Sequence, residues 1–519
     1  MTLSALALAL SLALSPAAQA AAPATAGVSW QTAAADADIE RAFAQAKVEK
    51  KPVLLYWGAK WCPPCNQLKA TLFNRQDFIE QSRAFVAVNI DGDLPGAQKL
   101  GSRFKVRGYP TMILFSPEGN EITRLPGEAD APQVMKVLQL GMAGGRPVKA
   151  VLADAKAGKK LAANEWRLLG FYSWETDEQQ LVTANERPGL LTQLAVASQG
   201  ADAETTTRLW LKALAASNGG QGVKADAALR ERVRAVLAEA RQSRSQADVL
   251  TNEATDIVQA LHNEPGAERQ ALVAEFETAL KRLEADTTLS RADRLGALLA
   301  RVGLARIDQP KTELHPKIAP ALQQEVKAQA ARADREITDG YERQAVITSA
   351  AYLLGQAGLW KDSDELLKAS LAKSHSPYYL MSQLGGNAKR QGRNDEALRW
   401  YEEAFNKSEG PATRLQWGSS YFSALVELAP LDAAKIEKTA AQLFAEAAKD
   451  KGAFYERSAR SLQRVGTQLA SWSVEGQHQA VLNRLKTQLN SICAKVDTAD
   501  QQRATCEGLI KAPTKKNSG

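Results

Sequence analysis

Two cysteines three positions apart, Cys62 and Cys65, sit at the junction between an apolar run of strand length, 52–57, and a segment with helical spacing, 66–73. A strand running directly into a helix leaves the first helical turn at the edge of the layer, where unpaired N–H groups and the positive end of the helix dipole face whatever lies there. The thiolate gains most from that setting, so the junction predicts a lowered pKa and a nucleophilic Cys62. Cys65, one turn on, falls on the same face and toward the inside, close enough to attack a mixed disulfide formed at Cys62. Pro63 and Pro64 fit the first turn, where a missing N–H breaks no intrahelical bond. They also remove donors that could stabilise the thiolate, so the expected lowering is moderate.

The pattern around the junction alternates. Strand-length runs at 52–57, 85–90 and 111–115 are separated by helical segments at 39–48, 66–73 and 97–104. A turn at 116–120 sets off a short strand at 121–125, and a helix opens near Ala131 and Pro132. This reads as an α/β domain over 28–145, ended by Gly144-Gly145-Arg146-Pro147. With 519 residues the chain needs further cores. Beyond the break, 146–339 turns to Ala, Leu, Glu, Arg and Gln in amphipathic helices such as 227–240, 267–283 and 291–304. The last of these follows Ser290 with Asp293 three positions on, a capping-box signature. A shift of 34 residues lays Ala350 on Leu384, Gly358 on Gly392, Leu367 on Tyr401 and Leu371 on Phe405, which is a helix-hairpin period. That sets 340–450 apart as repeats and leaves 451–519 as C-terminal helices.

The remaining cysteines, Cys493 and Cys506, are 13 apart across the turn 497–500. They are expected to form a structural disulfide on the last hairpin, the other reading being a second redox couple exchanging with the first. No charge precedes Asp36, and an apolar run at 3–14 is followed by Pro16 and Ala18-Gln19-Ala20. Residues 1–20 therefore read as a secretory signal peptide cleaved near Ala20, with an uncleaved anchor as the alternative. No later stretch is apolar and long enough for stable membrane insertion. The net charge of +7, from 65 basic and 58 acidic residues, is spread along the chain with no basic block, so nucleic acid is not an expected partner. His262, His315, His375 and His478 lack metal-ligand spacing, so no metal is expected at the cysteines.

Trp61-Cys62-Pro63-Pro64-Cys65 and, 45 residues from cysteine to proline, Val106-Arg107-Gly108-Tyr109-Pro110-Thr111 resemble the two signature segments of the thioredoxin superfamily. The resemblance covers roughly 28–145 and implies a thioredoxin fold with a cis bond before Pro110 facing the cysteines. It also implies substrate contacts from Trp61, Tyr109, Pro110 and Thr111, and no cofactor beyond the redox-active cysteine pair. Asp91-Gly92-Asp93, with Phe73 and Phe85-Val86, looks most like the exported bacterial branch. There are departures: Tyr56 stands where thioredoxins carry a buried carboxylate, so the acid–base helper for Cys65 is unassigned. Lys60 replaces an acidic residue often found there, and either favours the thiolate or is simply solvated. The absence of a histidine between the cysteines argues for a reducing or isomerising pair over an oxidising one.

Leu384-Gly385, Gly392, Ala397, Tyr401 and Ala404 resemble the tetratricopeptide signature, with a plain helical bundle as the alternative. The combined expectation is an α/β thioredoxin fold followed by a large all-α, tetratricopeptide-like region. Its function would be that of a periplasmic thiol–disulfide oxidoreductase, served by an upstream electron donor or acceptor, whose helical array binds client proteins with disulfides. An adaptor with a weakly active thioredoxin-like module is the alternative.

Overall fold

The computed structural model describes residues 27–125, 130–177, 180–217, 221–473 and 477–510, so the expected signal segment 1–20 lies outside the described residues. Five strands, β1 (Gln31–Thr32), β2 (Val53–Gly58), β3 (Val86–Asp91), β4 (Thr111–Phe115) and β5 (Glu121–Leu125), form one sheet in the order β1-β3-β2-β4-β5. β3 runs parallel to both β1 and β2, while β4 is antiparallel to β2 and β5. Five helices belong to this layer: α1 (Asp36–Glu49), α2 (Pro63–Thr71), α3 (Gln76–Gln81), α4 (Ala97–Arg103) and α5 (Ala131–Met142).

The two-residue period of β2 sorts its side chains between two cores. Val53, Leu55 and Trp57 pack with Ile39 and Ala42 of α1 and Leu100 of α4. Leu54 and Tyr56 face Leu68 of α2, Leu72 just after it, and Val134 and Leu138 of α5. Leu168 and Phe171, from beyond the Gly144-Gly145 break, complete that second core. Two short elements, β1 and α3, escape the sequence pattern because two and six residues are too few to display a period.

The described chain after α5 is built from α-helices. Their cores follow one another along the sequence: one around Trp166 and Trp174, a second around Phe276, a third around Leu353, and a last around Phe422 and Phe444. The capping box is formed as expected, with the Ser290 hydroxyl accepting the Asp293 N–H at the start of helix Arg291–Ala305. No helix among the described residues is long and apolar enough to cross a membrane. Cys493 and Cys506 form a disulfide that ties helix Gln479–Cys493 to helix Gln502–Glu507 within the last core.

Candidate active site

Cys62 is the N-cap of α2, and Pro63 and Pro64 open its first turn. The Cys62 sulfur accepts the Cys65 backbone N–H at 3.1 Å, one of the donors that a helix start leaves unpaired. Cys62 and Cys65 are joined by a disulfide. Asn66, fully buried in the next position, donates its amide to the carbonyls of Lys60 and Cys62 at 2.9 and 2.8 Å and so fixes the loop entering the helix. The Tyr109–Pro110 bond is cis. Tyr109 packs with Trp61 against a cluster of Ala59, Cys62 and Cys65.

Cys62 is only 1% exposed and Cys65 0%, so both sulfurs are hidden. The expectation placed Cys65 inside and left Cys62 as the attacking group; here the helical region covers Cys62 as well. Helix Gly340–Gln356 lies along α2, and Gln344 donates to the Trp61 carbonyl at 3.0 Å. The Trp61 ring stacks on Tyr379, meets the edge of Trp417, and donates its indole N–H to the Thr413 hydroxyl at 2.8 Å.

Asp93, just past the end of β3, fastens this cover. Its carboxylate accepts the Thr413 backbone N–H at 2.7 Å, the Thr413 hydroxyl at 2.5 Å and an Arg457 N–H at 3.1 Å. Helix Pro411–Leu428 has Gly410 as its N-cap, with no side chain of its own to cap it, and Asp93 serves instead from the other half of the molecule. Gly410 has φ 88°, and a Cβ there would stand 2.6 Å from the Asp93 Cγ, so both conformation and approach require glycine. The Arg457 guanidinium lies 5.4 Å from the Trp61 ring and 5.2 Å from the Tyr109 ring. Gln98 accepts the Arg457 backbone N–H and donates to the Gly92 carbonyl and the Tyr109 hydroxyl.

Electrostatics near α2 are set by burial. It pushes the Asp91 carboxyl above its ordinary value and holds the Lys69 ammonium below its own. Burial first, and then the Asp91 charge, push the Tyr56 hydroxyl up, and that hydroxyl finds no hydrogen-bond partner among the described residues.

The expected site residues thus separate. Cys62, Cys65, Trp61, Tyr109 and Pro110 come together, with Pro63 and Pro64 in the helix start. Thr111 is buried, with its hydroxyl donated to the Gly108 carbonyl at 2.8 Å, so that hydroxyl is already in use within the loop. Lys60 reaches outward to Glu409 at 3.4 Å, both more than half exposed, a pair of little energetic weight. Asp93, Gln98, Thr413 and Arg457 were not foreseen as site residues. Their signal lies in contacts more than 300 positions apart, which no local pattern carries. Asn66 was legible in principle, as an amide in the helical turn that follows the cysteines.

A model of the thioredoxin-like domain matches residues 39–141. The thiol:disulfide interchange protein DsbD 2 of Pseudomonas aeruginosa is 33% identical over 104 residues, which is 19% of this chain and 18% of that protein. DsbD of Cronobacter sakazakii is 35% identical over 99 residues, 18% of this chain and 17% of its own. The chain therefore spans less than a fifth of the length of these curated relatives. A thioredoxin from Thermus thermophilus, solved in solution, is 25% identical and aligns with 22% of this chain and 86% of its own, with a TM-score of 0.20. The molecule thus has an N-terminal thioredoxin-like domain that carries the paired-cysteine motif of thiol–disulfide oxidoreductases, followed by a large helical region.

Proposed function

We propose that the chain is a thiol–disulfide oxidoreductase that reduces or isomerises protein disulfides through Cys62 and Cys65. The observation that carries this reading is the cysteine pair at the N-terminus of α2, bridged, packed against the Tyr109–Pro110 loop, with the Cys62 sulfur receiving a helix N–H. Starting from the dithiol, the Cys62 thiolate attacks one sulfur of a client disulfide; a Cys62–client bond forms and the client's other sulfur leaves as a thiolate that takes a proton. The Cys65 thiolate then attacks the Cys62 sulfur, the second client thiolate leaves, and the Cys62–Cys65 disulfide forms. Two electrons pass to the client, and an upstream dithiol returns two to the pair. Trp61, Tyr109 and Pro110 flank the incoming sulfur, and Pro63 and Pro64 modulate the pair.

In this proposal residues 1–20 direct export to the periplasm and are cleaved near Ala20, as the apolar run and the Ala18-Gln19-Ala20 sequence suggest. The helices of 340–450 act as tetratricopeptide-like repeats that hold clients. Supporting this, the helices starting at Trp360 and Asn394 are offset by 34 residues, as are those starting at Pro377 and Pro411, and the Tyr401 ring lies against Gly385. The next offset, Asn394 to Ala433, is 39. The Cys493–Cys506 bridge is a staple in this scheme.

Trapping tests the assignment of roles. Cys65→Ser should accumulate mixed disulfides through Cys62, and Cys62→Ser should accumulate none. Equal trapping by both variants overturns it. The burial of Cys62 favours a second reading, an adaptor with slow turnover. Insulin reduction in dithiothreitol separates the two, since an adaptor leaves the background rate unchanged.

A further inference from the structure

We propose that the cavity between the cis-proline loop and the helices Ala247–Asn252 and Arg291–Ala305 binds a short peptide segment that carries a basic side chain beside its cysteine, with Asp293 as the residue that selects the charge. This rests on the oxidoreductase reading above and names what that site takes.

The cavity has a volume of about 420 Å³, within the ~300–1,000 Å³ range of small-ligand sites. It is too small for a folded domain and suited to a few residues of chain. Pro64, between the two cysteines, and Tyr109 and Pro110 form one wall, so the cavity begins where the redox pair is flanked. Leu289, Leu295 and Leu299 make the opposite wall apolar. That wall belongs to the helical region and is therefore a feature of this chain beyond its redox domain.

Among the described residues, three carboxylates line the cavity and no lysine or arginine does. Two are neutralised from behind: Asp248 by Arg208, in a pair with side chains 2% and 1% exposed, and Asp130 by Arg244. Asp293 differs. Its carboxylate oxygens accept from the Gln67 amide at 2.7 Å and from the Ser290 hydroxyl and backbone N–H at 2.7 and 3.2 Å, all neutral donors. Burial, with a further push from Asp130, holds its pKa above the ordinary value, the mark of a carboxylate short of positive charge. An ammonium or guanidinium entering the cavity would supply it.

Gly296 shapes the same cavity. It lies inside helix Arg291–Ala305, where glycine is unfavourable. Some helical glycines here make room for a neighbour, as at Gly418, where a Cβ would stand 2.4 Å from Leu443 and 2.8 Å from Phe405, while others, such as Gly189, meet nothing within 4 Å. At Gly296 the nearest atom is the Thr251 Cβ at 3.9 Å, so no packed side chain accounts for it. What its missing side chain leaves open is the cavity itself.

Calorimetry on the full chain tests the proposal without requiring turnover, using the tripeptides acetyl-Lys-Ser-Leu-amide and acetyl-Glu-Ser-Leu-amide, in which serine stands for the reacting cysteine. The lysine peptide should bind at least about tenfold more tightly, as expected for one added charge pair in a partly buried site. Asp293→Asn should bring the two peptides within about twofold of each other, and Asp293→Glu should keep the preference. Gly296→Leu, whose Cβ makes only an ordinary contact with the Thr251 Cβ at 3.9 Å and which improves the helix, should fold as the parent does and lose binding of both peptides. The proposal is overturned if the parent binds neither peptide, binds both alike, or if Gly296→Leu binds as the parent does. Exchange of Cys62–Cys65 with dithiothreitol is read separately. If the lysine peptide binds as stated while that bridge resists exchange, the cavity stands and the redox reading falls.

Discussion

Cys62–Cys65 and Cys493–Cys506 are almost equally hidden, with exposures of 1% and 0% in both pairs, yet what hides them differs in kind. Cys493 and Cys506 lie inside the last apolar core, with Leu485, Leu489, Ile492 and Leu509 of their own hairpin and Phe444, Leu462 and Val465 of neighbouring helices, so exposing that bridge requires opening the core. Cys62–Cys65 lies at a helix start, and its outer cover comes from residues 344–457, fastened by Trp61, Asp93, Thr413 and Arg457. That cover is a set of contacts from distant segments rather than the helix that carries the cysteines. Burial alone therefore does not tell a staple from a reactive pair; the free energy needed to remove the cover does.

Deleting each bridge separates the two most strongly. Cys62→Ala should reduce exchange with small disulfides by at least roughly a thousandfold, as loss of a nucleophile does. The double variant Cys493→Ala, Cys506→Ala should exchange normally but lose about 3 kcal/mol in urea titration, the value expected for a loop of this length. A loss of exchange in the double variant would make the second bridge a redox partner and erase the distinction.

The next effect is on the fastening. Asp93→Asn weakens three charge-assisted hydrogen bonds, each worth ~1.5–3 kcal/mol. Reduction of Cys62–Cys65 by a protein dithiol should then accelerate about tenfold or more, while reduction of Cys493–Cys506 in the same sample, followed by mass spectrometry of alkylated peptides, should not change. Equal acceleration at both bridges would mean that Asp93 supports the whole fold.

A smaller effect concerns pH. Because burial raises the folded-state pKa of Asp293 above the ordinary 3.8, its contribution to stability is fully present below that value and is lost as pH rises through the folded value. Asp293→Asn removes this dependence, so its urea midpoint relative to the parent should rise across that window and stay level on either side. The smallest effect is expected from Glu409→Gln. Its ion pair with Lys60 is mostly exposed, so the rate of Cys62–Cys65 reduction should change by less than about twofold. A larger change would show that Lys60 acts on the sulfur.

Local periodicity and spacing account for one part of the molecule. The strand–Cys–Pro–Pro–Cys–helix junction, the alternating strands of β2, β3 and β4, the capping box at Ser290 and the helical character beyond Gly145 follow from contacts within a few residues, which any single segment carries in its own pattern. Packing between distant segments makes Leu168 and Phe171 finish the core of the redox domain, Asp93 cap a helix beginning at Pro411, Arg457 lie over Trp61 and Tyr109, and Cys62 become covered. Each of these joins residues far apart in the chain. Such pairings depend on how two amphipathic bodies dock, and an apolar or charged side chain on a helix face carries no record of which distant surface will meet it.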